Sequence, residues 1–233
     1  MKKNQTLKTS EVQKTIWQLH LRISDRFPNS SLVQAAKQLH GIAKETDKII
    51  SWISSPNYLL RIGIYSLIII VALVLGLSVS QMNFAVRNIT FIDFIQVSES
   101  ALNEMVFIVA GMIFLVTLEN RRKRKRVISS INNLRSIAHY VDALQLTKDP
   151  DACIQISKPT RNSPHRDLNA YDLGRYLDYC SELLSLISKL GFLYVQSFED
   201  PIANEASNDL ESLTTGLSGK IWQKIMILRS KES

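Results

Sequence analysis

The chain has 233 residues, of which 45% are apolar and 21% charged, and its mean hydropathy is +0.01. That balance excludes a disordered or collagen-like chain, and two cysteines exclude a secreted disulfide framework. Its 28 Lys and Arg exceed its 21 Asp and Glu, a net charge of +7 whose meaning depends on where the bases sit.

Residues 1–58 read as cytoplasmic helices that divide at Pro28. Ile16, Leu19, Ile23 and Phe27 recur at helical spacing, with Ser10 as the expected N-cap and Glu11 in the first turn. Ser30 or Ser31 can cap a second helix, whose apolar positions are Leu32, Ala35, Ala36, Leu39, Ile42, Ala43, Ile49, Ile50 and Ile53. Gly41 weakens it by about 1 kcal/mol relative to Ala. Ser55-Pro56 ends it.

The stretch IGIYSLIIIVALVLGLSV (62–79) is apolar on every face, and no charge falls between Arg61 and Arg87. Twelve of its residues are Ile, Leu or Val. Together they favour insertion by roughly 4 to 7 kcal/mol, so residues 59–81 are expected to form a transmembrane helix. A second run, MVFIVAGMIFLVTL (105–118), is by itself only about 21 Å of helix. Extended back to Ala101, it takes in Asn103 and Glu104 and nears the thickness of the hydrocarbon core. Residues 101–119 are therefore read as a second span, joined to the first by an extracytoplasmic loop, 82–100.

Charge sets the orientation. Residues 1–58 carry nine bases against four acids, and the second span is followed by Arg121, Arg122, Lys123, Arg124, Lys125 and Arg126. The connecting stretch from Gln81 to Glu104, at the start of the second span, carries Arg87 against Asp93, Glu99 and Glu104. By the positive-inside rule both termini are cytoplasmic. The basic run reads as an anchor for anionic lipid headgroups rather than a nucleic-acid patch, at about 1 kcal/mol per base. The apolar residues interleaved through Phe84–Val97 suit either an interfacial helix or the wound-out start of the second span.

Beyond the basic run, Ile128, Ile131, Leu134, Ala138, Val141 and Leu144 continue a helical pattern over 120–146. Residues 147–168, with three prolines, read as a linker. Residues 169–233 read as a helical hairpin. Asn169 caps a helix whose one side carries Leu173, Leu177, Cys180, Leu184, Ile187 and Leu190. Asp200-Pro201 starts another, carrying Ala203, Ala206, Leu210, Leu213, Leu217, Ile221, Ile225 and Leu228. Steps of three and four are the coiled-coil-like seam of an antiparallel bundle. The expected fold is all-α: a transmembrane helical hairpin with a cytoplasmic antiparallel helical bundle.

No phosphate loop, nucleophile elbow or metal motif appears, so no catalytic, cofactor or metal residue is assigned and the chain is read as a non-enzyme. The four histidines stand alone except for the His139/Asp142 pair. Cys180 falls on a seam and reads as packing. Asp167, Asp172 and Asp178 with Arg166 and Arg175 suit a helix start and its ion pairs. Tyr171, Tyr176, Tyr179 and Tyr194 read as neighbour-packing rings, three of them with wet hydroxyls, or as part of a partner surface. Ala72, Gly76 and Ser80 form a small-residue stripe for transmembrane helix packing. Glu104 is a possible ion-pathway residue, or an interfacial helix start.

The stretches LRSIAHYVDALQLTKDP (134–150), YLDYCSELLSLISKL (176–190) and SLTTGLSGKIWQKIMIL (212–228) resemble an uncharacterised family of bacterial two-span inner-membrane proteins. The resemblance implies a bacterial inner membrane and no mechanism. The resulting expectation is an integral membrane protein whose cytoplasmic helices scaffold a protein partner or self-associate, with anionic lipids but no nucleic acid as partners. The alternative is an oligomeric channel or transporter component using Glu104.

Overall fold

The computed structural model describes residues 6–56, 58–81, 91–150, 161–162 and 168–230. Among them the chain is all-helical, without strands, as the periodicity requires. The helices are α1 (Thr9–Arg26), α2 (Ser31–Ser54), α3 (Tyr58–Gln81), α4 (Phe91–Leu146), α5 (Ala170–Gln196) and α6 (Pro201–Ser230). They belong to two compact units, one of residues 1–54 with 124–233 and one of residues 55–123.

The first unit has a continuous apolar core. α1 buries Val12, Ile16, Leu19 and Ile23, spaced four, three and four. α2 buries Leu32, Ala35, Ala36, Leu39, Ala43, Thr46, Ile49 and Ile53. The Phe27–Ser30 turn brings the two helices together, and Pro28 stands where helical hydrogen bonding stops. The α1 cap differs from expectation: the helix starts at Thr9 after an extended Lys8 that makes no side-chain cap. Ser10 is already inside the first turn.

α5 packs against α1, α2 and α6. It buries residues around most of its circumference, including the adjacent pairs Leu183/Leu184 and Leu186/Ile187, rather than along one side only. Its start is the expected one, with Asn169 accepting the Asp172 N–H at 2.8 Å. The α6 seam is Ala203, Ser207, Leu210, Thr214, Leu217, Ile221, Ile225 and Leu228. Ser207 and Thr214 occupy seam positions, while Ala206 and Leu213 lie beside it only partly buried. The Thr214 hydroxyl donates within its own helix to the Leu210 carbonyl at 3.0 Å, which satisfies it without a partner helix. Buried Val127, Ile131, Leu134, Ala138 and Val141 bring the end of α4 into the same core.

The second unit holds α3 and the first part of α4. Many of its described large apolar side chains are outward, among them Ile62, Tyr65, Ile69, Leu73 and Leu77 on α3 and Met105, Val106, Phe107, Ile113 and Phe114 on α4. α4 starts at Phe91, so helix occupies 91–100, the second half of the expected loop. Residues 82–90, and with them the start of that loop, lie outside the described residues. Most of the expected linker does too. Among the described residues no helix is long and apolar enough to cross a membrane. The apolar run at 62–79 includes Leu67, Val74, Leu75, Ser78 and Val79, whose side chains are outside that description.

Candidate functional site

The basic run is not uniform. Lys123 pairs with Glu119 at 2.9 Å and also donates to the Ser55 carbonyl at 2.9 Å. Arg124 turns into the helical unit, where its Nε and a terminal nitrogen grip both oxygens of Asp200 at 2.7–3.0 Å. Asp200 also accepts the Ala203 N–H at 3.0 Å, so one buried carboxylate caps α6 and clamps α4 to it. Burial alone pushes the Asp200 carboxyl up; the Arg124 guanidinium and the backbone N–H groups outweigh it and hold the carboxyl below its ordinary range. Arg121, Arg122, Lys125 and Arg126 remain exposed. Two of the six bases are thus structural and four are open to a ligand.

Arg126 faces α2 across a cleft of about 380 Å³, lined by Lys48, Ile49, Trp52 and Arg126. Lys48 and Trp52 stand one helical turn apart on the same face of α2. Ile49 forms the floor, and Trp52 is 49% exposed. Among the described residues neither Lys48 nor Arg126 has an ion-pair partner. The neighbouring acid Asp47 instead accepts from Gln13 Nε2 at 3.1 Å.

The other features are structural in kind. The Tyr194 hydroxyl is buried 3.0 Å from the Thr46 hydroxyl, joining α2 and α5. Arg22 forks onto Glu182 at 2.8 and 3.0 Å, and Arg26 reaches Asp172 at 3.3 Å, so α1 supplies cations to the acids of α5. Both guanidiniums lie over tyrosine rings, Arg22 on Tyr179 and Arg26 on Tyr171. Arg175 pairs with Asp178 at 3.1 Å; Arg166 and Asp167 lie outside the described residues. Burial pushes the Cys180 thiol up to about 12, which suppresses its thiolate.

His139 and Asp142 are not joined; Asp142 accepts from Gln145 at 2.7 Å. The α1–α2 hairpin instead brings His20 and His40 both against Trp17, with ring centroids 5.3 and 4.8 Å away. Twenty residues of sequence separation hid that grouping. Both Nδ1 atoms are buried without a partner in the described structure. No group of three or more metal-ligating side chains occurs among the described residues.

In the second unit, Ala72 and Gly76 are exposed, and a Cβ built at Gly76 would meet nothing within 4 Å. The side chains of Ser80 and Glu104 lie outside the described residues. Comparison with known protein families, curated proteins and solved structures returns no match.

Proposed function

We propose that this chain is an integral membrane protein in which the helices of residues 55–123 form a transmembrane hairpin and anchor a cytoplasmic helical module that self-associates or holds a protein partner. The observation that carries the reading is the outward apolar surface of the second unit. Phe107 is 78% exposed and Ile62 63% exposed, in a run with many neighbours of the same kind. Such a contiguous surface needs hydrocarbon or protein to cover it. Hydrocarbon is the simpler cover, because the 62–79 run has no polar stripe and its flanking charges are asymmetric. Under this proposal the excess of bases over acids in residues 1–58 and the basic run after residue 120 argue for both termini on the cytoplasmic side, and the resemblance to a bacterial inner-membrane family argues for a bacterial membrane.

The interaction role rests on what remains exposed. Ala72 and Gly76 offer a close-packing face to a second helix. On the helical unit, Trp222 and Met226 stand one turn apart and half exposed. No non-enzymatic role follows from the absence of catalytic motifs alone; these surfaces are its positive support.

The test is fractionation followed by crosslinking. The full chain is expected to stay in the membrane pellet after alkaline carbonate extraction. Crosslinking in native membranes should trap it with another copy or with a reproducible partner. A chain released by carbonate, or one trapped as a monomer with nothing attached, overturns the proposal.

A further inference from the structure

We propose that the cleft between Lys48, Trp52 and Arg126 is a binding site for the phosphate of an anionic phospholipid headgroup. The inference rests on the membrane reading above and deepens it from a diffuse basic collar to one built site. Three groups with complementary chemistry converge there from two helices. Lys48 and Arg126 bring two cations to opposite walls without a carboxylate to neutralise them. Two cations with no internal partner recruit an anion, and a guanidinium suits phosphate geometry. Trp52 presents an amphipathic ring, the side chain that favours headgroup depth. Ile49 supplies an apolar floor for glycerol or the first acyl carbons.

Chain connectivity sets the location. α2 ends at Ser54 and α3 begins at Tyr58, so Trp52 lies within a few residues of the first apolar helix. Arg126 closes the basic run that follows the second apolar stretch. Along the chain, the cleft residues are thus close to both junctions with the apolar segments, as a site for a lipid phosphate requires under the membrane reading. The other bases are separated in role: Arg124 is committed to Asp200 and Lys123 to Glu119, while Lys125 is exposed and does not line the cleft.

The test uses the full chain with Trp17→Phe and Trp222→Phe, leaving Trp52 as the only tryptophan. It is reconstituted in phosphatidylcholine vesicles containing equal mole fractions of brominated phosphatidylcholine or brominated phosphatidylglycerol. Trp52 should be quenched more by the anionic lipid. Lys48→Gln with Arg126→Gln should reduce that preference by about thirtyfold, roughly fivefold for each base. Lys125→Gln should leave it unchanged.

Equal quenching by both lipids overturns the headgroup site while leaving the membrane reading intact. No quenching by either overturns both. An equal loss in Lys125→Gln overturns the cleft in favour of diffuse charge. A response of Trp52 to soluble glycerol phosphate without any preference among lipids makes the ligand a free phosphate and also overturns it. Native mass spectrometry of the chain with all three tryptophans, counting phosphatidylglycerol adducts with and without the Lys48/Arg126 pair, gives an independent reading. Equal adduct counts there contradict the proposal.

Discussion

Arg124, Asp200 and Tyr194 show how a few polar side chains choose one arrangement of helices whose apolar seams alone admit several. Asp200 is held by a bidentate guanidinium and a backbone N–H. Because its folded pKa lies below the unfolded one, its contribution is complete above roughly pH 4 and drains as the pH falls through the folded value. Asp200→Asn keeps the cap and removes the charge. It should lower stability at neutral pH and flatten the acid limb of the stability profile. Asp200→Ala should cost about 1 kcal/mol more, through loss of the cap. Denaturant titrations of the detergent-solubilised chain near pH 7 and near pH 3 check both signs. For Tyr194, removal of the hydroxyl leaves Thr46 still bonded to the carbonyl of Ile42. Tyr194→Phe should therefore cost only about 1 kcal/mol by the same titration, the net worth of a satisfied hydrogen bond rather than of an orphaned group.

Among the helices, glycines separate what propensity says from what packing needs. A Cβ at Gly191 would lie 2.7 Å from Leu210 Cδ2, where α5 packs on α6. Leu210 is fully buried, so it can yield only by disturbing the core. Gly191→Ala should destabilise by roughly 1 to 3 kcal/mol. At Gly41, Gly216 and Gly219 nothing lies within 4 Å of an added Cβ. There alanine should stabilise, by about 0.5 to 1 kcal/mol each, because only helix propensity is at stake. Thermal melts of the four single variants, read by circular dichroism, should give opposite signs. A stabilised Gly191→Ala would mean that α5 and α6 are not this close. The sequence carries all four glycines alike; only the crossing helix tells them apart.

At the level of the molecule, the helical unit is assembled from segments on both sides of residues 55–123. The two ends of the intervening unit meet, since Lys123 Nζ bonds the Ser55 carbonyl at 2.9 Å. Chain entry and exit are therefore within one side chain of each other. Replacing residues 55–123 by about six Gly/Ser residues can bridge that gap. Such a chain should elute as a discrete species in the absence of detergent, remain helical and melt cooperatively. A chain lacking residues 1–54 should instead aggregate, because the α5 faces that pack on α1 and α2 would be uncovered. Size-exclusion chromatography and circular dichroism of the two chains separate these outcomes.

Much of the architecture was legible as one-dimensional pattern. Ile16, Leu19 and Ile23, or Leu210, Leu217 and Ile221, repeat at the helical period because one face of each helix must leave water. The caps at Asn169 and Asp200 follow from short polar side chains meeting unpaired N–H groups one turn later. The contrast between apolar runs and flanking charge is likewise local. What spacing could not reveal are pairs set by the crossing of helices. Ser207 and Thr214 look like surface residues until the seam buries them, and Lys8 caps a helix with no side-chain signal. Arg124 belongs by sequence to a basic collar and by structure to Asp200, 76 residues away. The same holds at the proposed site. Lys48 and Trp52 are an ordinary helical pair, and Arg126 one base among six. Only the packing of α4 beside α2 makes them walls of one cleft, because a side chain's partner is chosen by distance in space rather than by order along the chain.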